Sequence, residues 1–142
     1  MGLWSVLLRR IVREAPKIRL VVRPGILHGP GTFALSGAIE QGSQRSALLR
    51  ALHDVEVTDG GYQYETVAYL TRHGDTVRIV MQNEVVASLP REDATSYGSM
   101  IPTQPEAVAC RIRIDGGGLT GWGEPLPRGD LRVRVDLPES GD

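Results

Sequence analysis

Apolar and polar positions alternate along most of this chain, with a period of two. EAVACRIRID (106–115) is the clearest run: Val108, Cys110, Ile112 and Ile114 fall on one side, Ala109, Arg111 and Arg113 on the other. That period belongs to a half-buried β-strand. DLRVRVDL (130–137) repeats it, with Leu131, Val133, Val135 and Leu137 inward and Arg132 and Arg134 outward. TVRIVMQ (76–82) and EVVASL (84–89) read as a hairpin about Gln82–Asn83, with Val77, Ile79 and Met81 set against Arg78, Val80 and Gln82. YQYETVAYLT (62–71) is a strand by its β-branched and aromatic content, with RHGD (72–75) as its turn. KIRLVVR (17–23) and TFALSG (32–37) are further short strands. Between them PGILHGPG (24–31) reads as a loop, having two Pro and three Gly.

Helical period is confined to three places. In MGLWSVLLRRIVRE (1–14), Trp4, Leu7, Leu8 and Ile11 share a face while Arg9, Arg10 and Arg13 fall opposite, and Pro16 ends the pattern. This amphipathic helix (1–16) either packs on the domain or rests on a membrane or a partner; it is short for stable membrane binding alone. Val6 stands where a myristoylation signal needs Ser or Thr. GSQRSALLRALH (42–53) is a helix capped by Ser43, with Leu48, Leu49 and Leu52 as its apolar face. PREDATSY (90–97) starts another, with Pro90 near its first position and Glu92 and Asp93 in the favourable first turn. GGGLTGWGEPLPRGD (116–130) is a flexible loop, and 139–142 are a disordered tail. The tally is about seven strands and two or three short helices, without strand–helix alternation. It predicts a mostly β (α+β) fold: a small curled antiparallel sheet, a partly open OB-like β-barrel, spanning 17–138.

Composition narrows the function classes. The chain has 142 residues, a single-domain length, with 41% hydrophobic and 23% charged residues. A net charge of −1 supplies no global field toward nucleic acid or anionic lipid. Fifteen of the sixteen basic residues are Arg, Lys17 being the exception. Arg forks onto phosphate and stacks on bases better than Lys, although a GC-rich genome gives the same bias. Cys110 is the single cysteine, which forms neither an internal disulfide nor a structural zinc site and suits a reducing cytoplasm. There is no run of about 18 apolar residues, and the N-terminal run is too short and too charged for a signal peptide.

Residues 77–97, VRIVMQNEVVASLPREDATSY, resemble the core of the HIRAN domain. Val86-Ala87-Ser88-Leu89 stands at that family's "VGYL", and Pro90-Arg91-Glu92-Asp93-Ala94 at its "S-R-E-D-A" helix start. ALLRALHD (47–54) is similar to the family's early helix; AVACRIRIDGG (107–117) and LRVRVDLP (131–138) resemble the closing strands of small stand-alone bacterial members. The resemblance covers roughly 35–138. It implies a partly open β-barrel related to the OB-fold, and a module that binds the 3′ end of single-stranded DNA by stacking bases on aromatics. The family's "N-P-Y-D-x-N" turn is altered: its Tyr-Asp falls at Arg72-His73 and its last Asn at Asp75.

Candidate chemistry is that of binding rather than catalysis. Tyr62 and Tyr64 sit two apart on one face of a strand, either as a base-stacking platform or as Tyr covering the core. Arg111, Arg113, Arg132 and Arg134 form one outward stripe if the last two strands pair, extended by Arg72 and Arg78. Like charges directly opposite are unfavourable, so the stripe wants interspersed acids or a phosphate ligand. His28, His53 and His73 are scattered, and His73 beside Asp75 is the one suggestive neighbour pair for a metal, best read as an ordinary turn. No G-x-S-x-G occurs, and the Gly-rich loop precedes a strand, so it is no phosphate cradle. Cys110 on an inward face is an inert hydrophobe. Trp122 on its Gly-rich loop either tucks into the core or contacts a partner.

Two functions are expected from these residues, neither enzymatic and neither needing a cofactor. One is a nucleic-acid-binding module for single strands or ends, using Tyr62, Tyr64, Arg72, His73, Asp75, Arg78, Arg111 and Arg113. The other is a protein-interaction module that keeps the fold and makes contact through Trp4 and Trp122. The first requires the two Tyr and the Arg set to share one surface.

Overall fold

The computed structural model describes residues 17–58, 61–117 and 131–139. The N-terminal helix with Trp4, the loop with Trp122 and residues 140–142 of the tail lie outside the described residues. Seven strands form one sheet: β1 (Val21–Leu27), β2 (Leu35–Gly37), β3 (Tyr62–His73), β4 (Thr76–Met81), β5 (Glu84–Leu89), β6 (Glu106–Gly116) and β7 (Arg132–Asp136). Two α-helices, α1 (Ser43–Ala51) and α2 (Arg91–Tyr97), and a short 3-10 turn at Gly98–Met100 complete the described fold. No helix among the described residues is long and apolar enough to cross a membrane.

The strand order is β2-β7-β6-β3-β4-β5, with every neighbour antiparallel. The sheet curls until its two ends meet. Ala38, just after β2, exchanges hydrogen bonds with Ser88 of β5 at 2.7 and 2.9 Å. The fold is therefore the small, mostly β, OB-like barrel that the alternation predicted. Gly37 makes the closure possible: a Cβ there would lie 2.9 Å from Ile79 Cδ1 and 3.2 Å from the Ala87 Cβ.

The inward residues of the alternating runs form the core. Val77, Ile79, Ile112, Ile114, Val133 and Val135 are fully buried, joined by Leu48 of α1, which packs on β5, and by Leu52 just after it. Each such side chain contributes about 1.5–3 kcal/mol by leaving water. The β4–β5 hairpin turns where expected, with Gln82 and Asn83 both left-handed at φ 51° and 63°. Two consecutive left-handed residues give the turn whose twist matches that of its strands.

Three local expectations are corrected. β1 lies at 21–27 and runs through Pro24–Gly25, where a loop was expected. It joins the edge of β6, in parallel, where a Pro lacking its N–H is tolerated. Gly25, at φ 89°, accompanies a register slip between Val22 and Ile26. β3 continues to His73, so its turn is Gly74–Asp75, with His73 paired to Thr76. Ser43 is the first helical residue of α1 rather than its cap; Gly42 holds that place, and Ser43 Oγ donates to Glu40 Oε1 at 3.4 Å.

β6 organises the site. One of its edges is paired along its length to β3. Its other edge is shared: β1 takes Glu106–Cys110 and β7 takes Arg111–Asp115.

Candidate functional site

Cross-strand partners share a face, so the registers place every candidate side chain. Tyr64 is opposite Ile114, which is fully buried; Tyr62 and Tyr64 therefore point to the inside of the barrel. Tyr62 is 6% exposed and Tyr64 packs partly buried against the core. Glu65 is opposite Arg113, and these point outward. The two Tyr and the Arg stripe thus occupy opposite faces of the sheet, and Tyr62 has no free ring face on which a base could stack. The paired-Tyr platform is corrected to a core role. Tyr64 does reach one opening, a cleft of about 670 Å³ whose lining includes Asp54, Glu56, Gln63 and Gln82. Its two carboxylates disfavour a phosphate.

The expected arginine stripe is present. Arg113 and Arg134 are direct neighbours across β6–β7, with Arg111 and Arg132 one step to either side. Two carboxylates interleave them. Glu65 pairs with Arg113 and, at 3.3 Å, with Arg111. Arg113 donates to it through both Nε and Nη2. These guanidinium bonds hold the Glu65 carboxyl below the usual carboxylate range, against a weaker opposing effect of desolvation. Asp115 receives Nε and Nη2 of Arg134 on its Oδ2. Arg132 Nε stands 2.9 Å from Asp115 Oδ1, off the line a hydrogen bond needs, and that buried oxygen accepts none among the described residues. With Asp136, the register partner of Arg111, three carboxylates face the four guanidiniums and leave a local excess of one positive charge. A depression of about 530 Å³ between them is lined by Gln63, Glu65, Arg113, Asp115 and Arg134.

The other four sequence candidates are not drawn into this stripe. Glu65 and His73 are eight residues apart on β3, about 25 Å at strand rise. Arg72 ties down the segment after α2, donating to Gly98 O at 3.3 Å and Thr103 Oγ1 at 3.1 Å. Arg78 reaches Gln104 Oε1 at 3.5 Å. His73 precedes the exposed β3–β4 turn and Asp75 lies in it, 3.9 Å from Arg91 across open solvent. Their proximity is that of a tight turn.

The structure adds residues that the alternation did not reveal. Val22, Ile26 and Val67 are 42%, 41% and 39% exposed. Their register partners are Ala107, Ala109 and Arg111, so all three lie on the outer face, adjoining the stripe at Arg111. Phe33 is buried there with the Arg113 guanidinium 4.6 Å above its ring, a cation–π contact. Asp136, on the outward side of β7 by alternation, is nevertheless 3% exposed. Its carboxylate accepts hydrogen bonds from the backbone of Gly31 and Phe33. Cys110 is fully buried on the inner face, and burial pushes its thiol up to about 12, so it stays protonated at neutral pH.

No family model, curated protein or solved structure matches this chain.

Proposed function

We propose that this chain is a non-enzymatic interaction module that takes a protein partner on the outer face of its sheet. One observation carries the reading: exposed apolar side chains and exposed arginines adjoin on that face, with Tyr69 beside them, while Tyr62 and Tyr64 turn the other way. Val22, Ile26 and Val67 offer an apolar centre, and Arg111 with its neighbours a charged rim. Protein contacts have this make-up, with Arg among the residues that concentrate binding energy. The test places a photo-crosslinking residue at Val67 or Ile26, and at Thr95 on α2 as a control, in cells. The expected result is one shared adduct from the first two positions and none from Thr95. Equal labelling from all three, or none from any, overturns the reading.

A second reading is favoured by the local excess of one positive charge and by the resemblance to HIRAN domains. In it the outer face holds single-stranded DNA by its phosphates, using Arg forks without base stacking. Fluorescence anisotropy with a free and a blocked 3′ end decides it. Phosphate tracking predicts binding that weakens with salt, ignores the blocked end and drops in Arg111→Ala and Arg134→Ala. No binding at low salt removes this reading and leaves the protein partner.

A further inference from the structure

Residues 28–34 cross the outer face as a strap from the end of β1 to the start of β2. Among the described residues the strap has no backbone–backbone hydrogen bond. Its hydrogen bonds all run to one side chain. Asp136 Oδ1 accepts from Gly31 N at 2.9 Å and from Phe33 N at 3.4 Å, and Oδ2 from Gly31 N at 3.1 Å. The strap is drawn tightly onto that carboxylate: a Cβ on Gly29 would lie 2.7 Å from Asp136 Cγ. Phe33 is held at φ 48°, a left-handed conformation that a bulky side chain adopts only under constraint. Its ring is 4% exposed, with the Arg113 guanidinium above it.

We propose that the strap is a latch closed by Asp136 and Arg113, and that its opening changes what the outer face presents. Closed, the face offers valines and paired arginines, and its one buried aromatic is hidden. Open, Phe33 stands beside Arg113 and Arg134, and the face of the Arg113 guanidinium, still paired to Glu65, is uncovered. Release relaxes the Phe33 backbone. It also hydrates the Asp136 carboxylate instead of orphaning it in a dry core, which is what makes a buried charge costly to unpair. Such an element opens locally, below the free energy of global unfolding. A partner that contacts Phe33 selects the open form in proportion to its preference for that form. The latch is a property of the fold and stands whichever class of partner the face takes.

Amide hydrogen exchange on the full chain tests it. In the wild type, Gly31 and Phe33 should exchange about tenfold or more faster than Ile112 and Val133, since the strap opens while the sheet stays intact. Asp136→Asn should speed the strap amides by roughly a further tenfold, the scale of a lost charge-assisted bond, with the Ile112 and Val133 rates unchanged. Arg113→Ala should speed the same two amides by a smaller factor. Strap amides as slow as the sheet, or variants that accelerate strap and sheet by one common factor, overturn the latch. If Asp136→Asn does not fold, the wild-type comparison and Arg113→Ala decide by the same criterion.

Discussion

The two halves of β6 carry the same period-two pattern and build opposite surfaces. On the outer face its first half presents Ala107 and Ala109, both buried, with β1 alongside. Its second half presents Arg111, Arg113 and Asp115, with β7 alongside. Beneath both runs one inner row, Val108, Cys110, Ile112 and Ile114. The inner row is fixed by the core and tolerates no polarity. The outer row answers to whatever lies across each edge. Where β7 supplies arginines and an aspartate, charge is matched by charge; where β1 supplies Val22 and Ile26, small apolar residues suffice. A strand's alternation therefore says which side is wet or dry only for the side facing the core.

The largest effect should come from erasing that contrast. Ala109→Arg would carry the arginine row into the apolar half, where the site is 5% exposed and no carboxylate is opposite. An unpaired buried charge should cost about 3–5 kcal/mol, read as a large drop in denaturation midpoint. A midpoint within experimental error of the wild type would show that the apolar half is open to water. Ile112→Ala, beneath the charged half, should cost about 2–5 kcal/mol by cavity formation. A loss below one kilocalorie would mean that the inner row is loosely packed there.

Gly37→Val at the seam should cost about 1–3 kcal/mol, because the added atoms meet Ile79 and Ala87. The same substitution at Gly74, in a turn with open space around its missing Cβ, should be limited to backbone strain. A loss below about one kilocalorie at Gly37 would argue against close packing at the Ala38–Ser88 seam. Arg113→Ala should cost only about 0.5–1 kcal/mol, the worth of an exposed ion pair and a surface cation–π contact. The smallest effect is on pH dependence. Folding lowers the Glu65 carboxyl, so its contribution is present above the carboxylate's unfolded value and fades as pH falls through the lower, folded one. Glu65→Gln should flatten that acid limb by lowering stability slightly at neutral pH and leaving it nearly unchanged in acid. An acid limb that does not move would show that the Arg pairs of Glu65 persist little in solution.

Much of the fold was legible because it rests on local periodicity. The hairpin at Gln82–Asn83, the inward rows of β6 and β7 and the helix at Arg91–Tyr97 all follow from residue order. β1 was misplaced because Pro and Gly ordinarily punctuate strands, and only its position on the edge of β6 excuses them. The arginine stripe was legible too, since it needed only that the last two strands pair. What Tyr62 does was not. Two Tyr at a period of two read alike whether they face a core or a ligand, and the choice belongs to the register with β6.

The sequence by itself determined a mostly β domain, its inner rows, its hairpin and the arginine-rich character of its closing strands, because these depend on propensity and spacing along the chain. Only the tertiary structure decided that the sheet's ends meet at Ala38–Ser88 and that Tyr62 and Tyr64 part company with the arginines across the sheet. It alone decided that Asp136 leaves solvent to hold the strap over Phe33. The physical reason is common to all three. Each depends on which residues from distant parts of the chain face one another, and a period of two fixes the alternation without fixing the neighbour.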